Sequence, residues 1–311
     1  MRKLKLVAVM AVAFSAYSTG ISAASVGGDV NTDVRAGAVI QNNSGIANRN
    51  DAAIGSAKQS AVGGDFRSNV RAGAVIQNNS GIANTNDTNI GSAKQSRVGG
   101  DFRSNVATGA VIQSNSGIAN RNDANLGSAE NSRVGGDFTS NVRAGAVIQG
   151  NSGIANRNSA NIGSAENASV GGDFRSNANV GAVIQGNSGI ANSNEANLGS
   201  AKNSAVGGDF SSNTNVGAVI QGNSGIANRN TTNVGSVTNS SVGGDVRTNT
   251  NVGAIIQRNS GIANTNETNI GSVKNARVGG DVRTNVSVGA VIQGNSGIAN
   301  TNNTSIGSVT D

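Results

Sequence analysis

The sequence contains no cysteine, proline, histidine or tryptophan among its 311 residues. The absence of cysteine excludes disulfide bonds and thiolate chemistry, and the joint absence of cysteine and histidine excludes the usual nucleophile–base pairs. Because no proline interrupts the chain, every backbone N–H remains available for a hydrogen-bonded ladder. Aromatic residues make up only 2% of the chain, too few for a conventional large core.

The charge balance is weak, with 23 basic and 17 acidic residues and a net charge of +6. The basic residues are interleaved with acids, and phenylalanine is the only aromatic residue after position 23, so we expect no nucleic-acid binding. The chain has no P-loop or dinucleotide fingerprint, and its acids recur at repeated positions instead of marking one site. We therefore expect no enzymatic activity, no cofactor, no metal and no small-molecule substrate.

Residues 1–23 are typical of a secretory signal peptide. Three basic residues precede an apolar run from Leu6 to Ser18, which is well short of the ~20 residues that a membrane anchor needs. The small residues at 21–23 predict cleavage between Ala23 and Ala24. The sequence thus predicts a secreted protein located outside the cell or on its surface.

After the leader, one 36-residue unit occurs eight times without insertion or deletion. The copies are 24–59, 60–95, 96–131, 132–167, 168–203, 204–239, 240–275 and 276–311. A fixed period in this range indicates a repeat architecture in which each unit packs only against its neighbours. We predict a single all-β solenoid. Glycines at 63, 73, 81, 91 and 99 mark the corners of the coil. They allow each copy to form either one turn of the solenoid, which we favour, or two turns.

Alternation with period two marks the strands of each unit. In the second copy we assign an inward set and an outward set. The inward set is Val62, Phe66, Ser68, Val70, Ala72, Ala74, Ile76, Ser80, Ile82, Asn84, Asn86, Thr88 and Ile90. The outward set holds most of the charge: Asp65, Arg67, Asn69, Arg71, Gln77, Asn79, Asp87 and Asn89. Val75 and its counterparts also fall on the outward parity, which predicts an exposed aliphatic stripe, either a contact surface or one side of a second buried layer.

If one copy forms one turn, identical side chains stack into columns, and columns of amides can pair along the axis as they do in cross-β stacks. The predicted ladders are Gln41, Gln77, Gln113, Gln149, Gln185, Gln221, Gln257 and Gln293; Asn48, Asn84, Asn120, Asn156, Asn192, Asn228, Asn264 and Asn300; and Ile40, Ile76, Ile112 and Ile148. The alternative is that the amides belong to solvated loops.

An invariant Gly-Gly-Asp turn supplies a column of acids, Asp29, Asp65, Asp101, Asp137, Asp173, Asp209, Asp245 and Asp281. Calcium-binding β-rolls need several oxygen ligands per site, whereas this turn has one aspartate per copy. We expect each carboxylate to accept backbone N–H groups, with Arg67 and its equivalents offsetting the repulsion. Stacking also places Lys94 beside Glu130 and Glu166 beside Lys202, pairs that select the register more than they add stability.

The segment Val147–Asn156, Val-Ile-Gln-Gly-Asn-Ser-Gly-Ile-Ala-Asn, resembles the Gln-x-Gly-x-x-Asn-x-Ala signature of curlin repeats. The long Asn/Gln/Gly/Ala/Val unit is also similar to the repeats of Fap-type fibre subunits. Both families are secreted bacterial functional amyloids. The resemblance implies a self-assembling fibre subunit for biofilm matrix or adhesion, with outer-membrane export and nucleation partners.

The physics of the ends indicates the same class of function. Soluble solenoids usually carry atypical capping repeats, but here both the first and the last copy keep the common pattern. Open edges template the addition of another chain, so we predict head-to-tail polymerisation. The alternative is a monomeric solenoid that acts as a surface adhesin or an ice-binding protein, although the threonines at 85, 265 and 301 alternate with arginine or serine in other copies.

Overall fold

The computed structural model describes residues 4–10, 21–22, 24–46 and 48–310, and this part of the chain is all-β without a helix. From Ser25 onwards, each strand pairs in parallel with the strand 36 residues away, so that Phe102 lies opposite both Phe66 and Phe138. One copy therefore forms one turn of a β-solenoid of about eight turns, which confirms the predicted fold. The alternative of two turns per copy is wrong.

Each turn contains a long strand, a return strand and two two-residue strands. The long strands are Val30–Ile46, Phe66–Ile82, Phe102–Ile118 and Val282–Ser296, and the separate return strands are Arg49–Ile54, Thr85–Ile90, Arg121–Leu126 and Asn300–Ile306. In copies 4 to 7 the two are continuous as Phe138–Ile162, Phe174–Leu198, Phe210–Val234 and Val246–Ile270.

The two-residue strands form two further parallel sheets. The first comprises Ile21–Ser22, Ala57–Lys58, Ala93–Lys94, Ala129–Glu130, Ala165–Glu166, Ala201–Lys202, Val237–Thr238, Val273–Lys274 and Val309–Thr310. The second comprises Ser25–Val26, Ala61–Val62, Arg97–Val98, Arg133–Val134, Ser169–Val170, Ala205–Val206, Ser241–Val242 and Arg277–Val278.

Two strands lie within the predicted leader: Ile21–Ser22, which pairs with Ala57–Lys58, and Leu4–Met10. Leu4–Met10 pairs in parallel with the first long strand, from Leu4 opposite Val30 to Met10 opposite Ala36. This offset differs from the 36 residues that separate the copies, so the segment is not a ninth repeat. Of the two predicted cleavage residues, Ala24 is described and Ala23 lies outside the described residues.

The two layers of each turn face one another across the core. Thr88 on the return strand donates a hydrogen bond to Gln77 Oε1 on the long strand at 3.1 Å. At the other end of the turn, Phe66 packs with Ala93 and Val98. Each turn is therefore a flattened coil, and the core lies between its long strand and its returning segments.

The aromatic part of the core is a column that runs along the axis. Phe66, Phe102, Phe138, Phe174 and Phe210 stack with ring centroids 4.9–5.2 Å apart and rings within 6° of parallel. All five rings are fully buried. The ring separation follows the distance between neighbouring parallel strands, so the backbone ladder determines this stack.

The inward and outward assignment is correct for Val62 to Ala72 but reversed across the middle of the long strand. Val75, Gln77 and Asn79 are buried, whereas Ile76 is half-buried and Ile82 is 47% exposed. The predicted inward ladder Ile40, Ile76, Ile112 and Ile148 thus lies on the outer face, with Ile40 39% exposed. The predicted exposed stripe at Val75 is part of the core.

The reversal has a local cause at the glycine corner. Gly73 and Ala74, two successive residues, both lie on the outer side. Ala72 pairs with Thr108 and Ala74 with Ala110, but Gly73 and Gly109 between them form no ladder pair. A Cβ at Gly109 would overlap the carbonyl oxygen of Gly73. The absence of a side chain permits this bend, and one extra outward residue shifts the parity of those that follow.

Candidate functional site

The glutamine column forms a continuous buried ladder along the axis. The Nε2 of each glutamine donates to the Oε1 of the preceding copy's glutamine at 2.7–3.0 Å, in every junction from Gln41–Gln77 to Gln257–Gln293. A second donor hydrogen reaches the return strand, as in the bond from Gln113 Nε2 to the Asp123 carbonyl at 2.9 Å. The ladder therefore joins neighbouring turns and also joins the two layers of each turn.

Two asparagine columns form further ladders beside it. The Nδ2 of Asn84 donates to Asn120 Oδ1 at 3.2 Å, and the column continues in this way from Asn48 to Asn300. Asn86 donates to Asn122 Oδ1 at 3.0 Å, and Asn115 of the long strand also accepts from Asn86. These amides are buried and hydrogen-bonded, so they are not loop amides.

Two further amide columns, which the alternation predicts on the outer surface, are buried. Asn79 is 5% exposed and donates to the carbonyl of Thr85 at 3.1 Å. Asn89 is fully buried, and Asn125 donates to its Oδ1 at 3.1 Å. The occurrence of asparagine at position 79 in all eight copies is the signal that could have indicated an internal partner.

The amide ladders have a direction. The Asn84 and Asn86 columns donate towards the C-terminal end of the solenoid, whereas the Gln77 and Asn89 columns donate towards the N-terminal end. At the last turn, the only acceptor for Asn300 Nδ2 among the described residues is the Gly297 carbonyl of the same turn. Ile306 is 45% exposed there, although its counterpart Ile270 is fully buried by the next turn. This edge thus exposes groups that internal turns use for stacking.

The aspartates of the Gly-Gly-Asp turns bond along the axis. Asp65 N donates to Asp29 Oδ1 at 3.0 Å, and the same bond recurs in each copy up to Asp281. The other oxygen faces arginine, with Arg67 2.7 Å from Asp65 Oδ2. In copy 4, which has threonine in place of arginine, Arg175 of the next turn reaches back to Asp137 at 3.3 Å.

A second charged column is buried, which the sequence did not predict. Lys94 is 6% exposed, and its Nζ lies 3.0 Å from Asp87, 3.1 Å from Asp123 and 3.2 Å from Glu130. The residues of this column come from the outer side of the return strand and from the first short strand. Gly91, with φ of +56°, turns the chain between them so that the lysine folds back over the acids.

The pKa shifts in this column follow the local balance of charge. Burial alone lowers the pKa of Lys94, but Asp123, Asp87 and Glu130 outweigh burial and raise it. Burial raises the pKa of Asp87, but Lys94 and Lys58 reverse this and the pKa falls below its usual value. Lys94 and Lys58, from two neighbouring turns, therefore favour the ionised form of Asp87.

Copies 3 and 4 carry an excess of carboxylates in the same column. Glu166 lies next to Glu130 in the register, and Lys202 is 3.8 Å from Glu166. Burial and the neighbouring Glu195 raise the pKa of Glu166 to about 7. Burial also raises the pKa of Glu130. Within the described residues, copies 3 and 4 are the two successive copies in which the buried column has acids and no lysine.

Within the described ranges, no three acidic side chains are grouped as metal ligands would be. The same residues include no helix of the length and apolar character needed to cross a membrane.

Comparisons with protein-family models, curated proteins and solved structures found no match for this chain. The resemblance to curlin-type repeats therefore stays a prediction, and the argument for function rests on the ladders and on the edges of the solenoid.

Proposed function

We propose that the protein is a secreted structural subunit that assembles head to tail into extracellular amyloid-like fibres, for biofilm matrix or surface adhesion. The observation that carries the proposal is the edge of the last turn. Asn300 and Ile306 are exposed there, whereas their counterparts Asn264 and Ile270 are buried under the following turn. A second copy stacked on this edge would cover them with the same contacts.

The register of such a joint follows from the internal junctions. Val30 of the second copy would lie opposite Val282, and Asn50 would lie opposite Asn302, as Val246 and Asn266 do inside the chain. Stacking of identical amides and identical aliphatic side chains is the source of stability in cross-β assemblies. The directed amide ladders favour head-to-tail growth, because reversing one copy would place donors against donors.

The opposite edge depends on the leader. The strand Leu4–Met10 covers the edge of the first long strand between Val30 and Ala36. Cleavage between Ala23 and Ala24 would remove that strand and open the edge to a second copy. Assembly would then follow export, with the chain itself as its main partner, aided by the export and nucleation partners that the resemblance implies. We propose no catalytic activity and no cofactor.

The experiment compares the full chain with the processed chain 24–311, each diluted from denaturant at neutral pH. We expect the processed chain to form unbranched fibres, seen by thioflavin fluorescence and electron microscopy, with a meridional reflection at ~4.7–4.8 Å. The full chain should assemble more slowly. A monodisperse β-rich monomer at high concentration would contradict the proposal and favour the monomeric adhesin or ice-binding alternative.

A matched pair of variants tests the edge itself. Asn302→Asp retains the oxygen that accepts from Asn266 but removes the Nδ2 donor directed towards the next copy, so growth should slow strongly. Asn303→Asp adds the same charge one residue away, in a column where copies 1 to 3 already carry aspartate. It should assemble at the rate of the unmodified chain, and equal slowing by both variants would argue against the amide joint.

A further inference from the structure

The outer face of the long strand carries side chains that the head-to-tail joint does not use. We call the outward side chains at positions 74, 76, 78, 80 and 82, with their equivalents in the other copies, the Ile face. Ala74 and Ile76 are half-buried, and Ser80 and Ile82 are exposed. Ile118, Ile154, Ile190, Ile226 and Ile262 repeat the exposure of Ile82, at 46–48% each. Two rows of isoleucine therefore run along the solenoid.

The Ile face is almost free of charge. Four of its five columns are the same residue in all eight copies, namely alanine, isoleucine, serine and isoleucine. The remaining column holds asparagine, serine, glycine or arginine, and Arg258 is the only charged residue of the face. The neighbouring face of the same strand differs, because it carries Asp65, Arg67 and Arg71. Charged side chains are thus confined to one part of the outer surface, and the Ile face stays apolar. Exposed apolar patches of this size mark interaction surfaces.

The shape of the Ile face fits a partner whose side chains repeat at the same interval along the solenoid axis. A groove follows the axis between the two isoleucine rows and is lined mainly by glycine and serine, such as Gly186, Ser188, Gly222 and Ser224, with Arg258 lining it in copy 7. These glycines leave open space where a side chain would stand. An isoleucine row from another molecule would fit this groove only if its side chains repeated at the same interval along the axis.

The size of the face is sufficient for a stable interface. Nine residues at ~3.3 Å give a width of ~30 Å, and eight turns at ~4.8 Å give a length of ~38 Å. The product is ~1,100 Å², compared with about 800 Å² per partner in a standard interface. A surface of this area with a single charged residue is large enough to hold two proteins together without help from the solenoid ends.

We propose that the Ile face binds the Ile face of a second copy, so that two solenoids pair side by side. A second copy is the occupant whose side chains share the axial repeat of this face, which lets an isoleucine row of each molecule enter the groove of the other where that column is glycine, in copies 4, 5, 6 and 8. The result is a dry interface of interdigitated side chains, as in steric zippers. This surface is distinct from the end edges, so the pairing does not rest on head-to-tail growth.

The test uses Ile154→Lys/Ile190→Lys in the full chain. Both side chains point outward, so the change places charge on the Ile face and leaves the core intact. The control is Ser169→Lys/Ala205→Lys, on the outer side of the second short strand, where Arg97 and Arg133 already occupy the same column. Circular dichroism checks that both variants keep the β structure.

Mass per unit length of the fibres, measured by scanning transmission electron microscopy, gives the number of solenoids in a cross-section. We expect two in the unmodified chain and in the control, and a twofold lower value in Ile154→Lys/Ile190→Lys, with the ~4.8 Å reflection retained. Unmodified fibres with one solenoid per cross-section, or an unchanged mass in the isoleucine variant, would overturn the proposal.

If the chain forms no fibres, sedimentation velocity on the soluble protein tests the lateral pairing independently of head-to-tail growth. The pairing then predicts a dimer for the unmodified chain and the control, and a monomer for Ile154→Lys/Ile190→Lys. A monomeric unmodified chain at high concentration would overturn the lateral pairing. Loss of fibres with retention of the dimer would overturn only the head-to-tail proposal.

Discussion

Glu166 lies directly beside Glu130 in the parallel register, and both residues are less than 8% exposed. Two buried carboxylates one turn apart repel each other, and each is also removed from water. The solenoid tolerates the pair because Lys94 lies 3.2 Å from Glu130 and Lys202 lies 3.8 Å from Glu166. Two lysines of different turns thus share the neutralisation of this acid-rich stretch.

Stability should depend on pH through Glu166. Burial, with Glu195 and Glu130 adding to it and Lys202 opposing, raises the pKa of Glu166 to about 7 from 4.5. The folded chain then retains a proton that the unfolded chain has lost, so this group's contribution falls as pH rises from about 4.5 to 7. Glu166→Gln should therefore stabilise the protein by up to ~3 kcal/mol at pH 7.5 and change little at pH 4.

Urea denaturation of both proteins at the two pH values measures this difference. Glu195, whose pKa is lowered, is present in both proteins and changes stability in the opposite direction. Because Glu195 also interacts with Glu166, the measured difference includes the loss of that repulsion. An equal effect of Glu166→Gln at both pH values would contradict the buried-carboxylate explanation.

Removal of Lys94 should be strongly destabilising. Lys94→Met leaves Asp87, Asp123 and Glu130 buried without their shared cation, and breaking a buried ion pair in this way costs ~3–5 kcal/mol. Lys274→Met is the control, because Lys274 contacts Glu267 alone among the described acids and its side chain is 21% exposed. The control should lose no more than ~1 kcal/mol in the same denaturant titration, and similar losses would argue against the network.

The glycine corner near position 153 should not accept a side chain. Gly153 has φ of +127°, and a Cβ there would overlap the carbonyl oxygen of Gly117 in the preceding turn. Gly153→Ala should therefore break the ladder locally and lower the thermal midpoint sharply. Gly150→Ala, three residues earlier, meets nothing within 4 Å and should leave the midpoint nearly unchanged. A tolerated alanine at 153 would disprove the close approach of the turns.

Replacing an asparagine with aspartate should destabilise the protein strongly in a buried ladder and only slightly in an exposed one. Asn122 donates to Asn158 Oδ1 at 3.0 Å and to Asn151 Oδ1 at 2.7 Å. Asn122→Asp turns both contacts into repulsions between acceptors, and we expect a loss of several kcal/mol, on the order of a buried unpaired charge. Asn141→Asp changes the exposed ladder, where Asn141 donates to Asn105 at 2.9 Å.

Chemical denaturation of the two aspartate variants gives the comparison. Asn141→Asp should cost about 1 kcal/mol or less, because solvent screens the exposed carboxylate. If the two substitutions cost the same, the buried ladder contributes no more than a surface amide.

Truncation of one phenylalanine should show how much the stacked rings contribute to the free energy of unfolding. Phe138 lies between Phe102 and Phe174, with ring centroids 5.0 and 4.9 Å away. Phe138→Ala should lower the free energy of unfolding by ~3–5 kcal/mol. Phe138→Val should cost less, because copies 1, 7 and 8 carry valine in this column. If denaturation shows equal losses for Phe138→Ala and Phe138→Val, the valine side chain does not fill the cavity that the phenylalanine leaves.

The sequence by itself determined the repeat length and, for one turn per copy, the members of each axial column. A gap-free repeat brings position n beside position n plus 36 when each copy forms one turn, and the register of the strands showed that it does. Given one turn per copy, the partners within each column, such as Gln77 with Gln113 and Asp65 with Asp101, were predictable from the sequence.

Only the tertiary structure decided which way several columns face. Alternation predicts direction correctly as long as a strand is regular, and the bend at Gly73 shifts the parity by one residue, which exchanges Val75 with Ile76. The return strand differs for another reason. The turn at Gly91 folds Lys94 onto Asp87, and a charged residue that pattern alone assigns to solvent is buried when its counter-ion comes from a neighbouring segment.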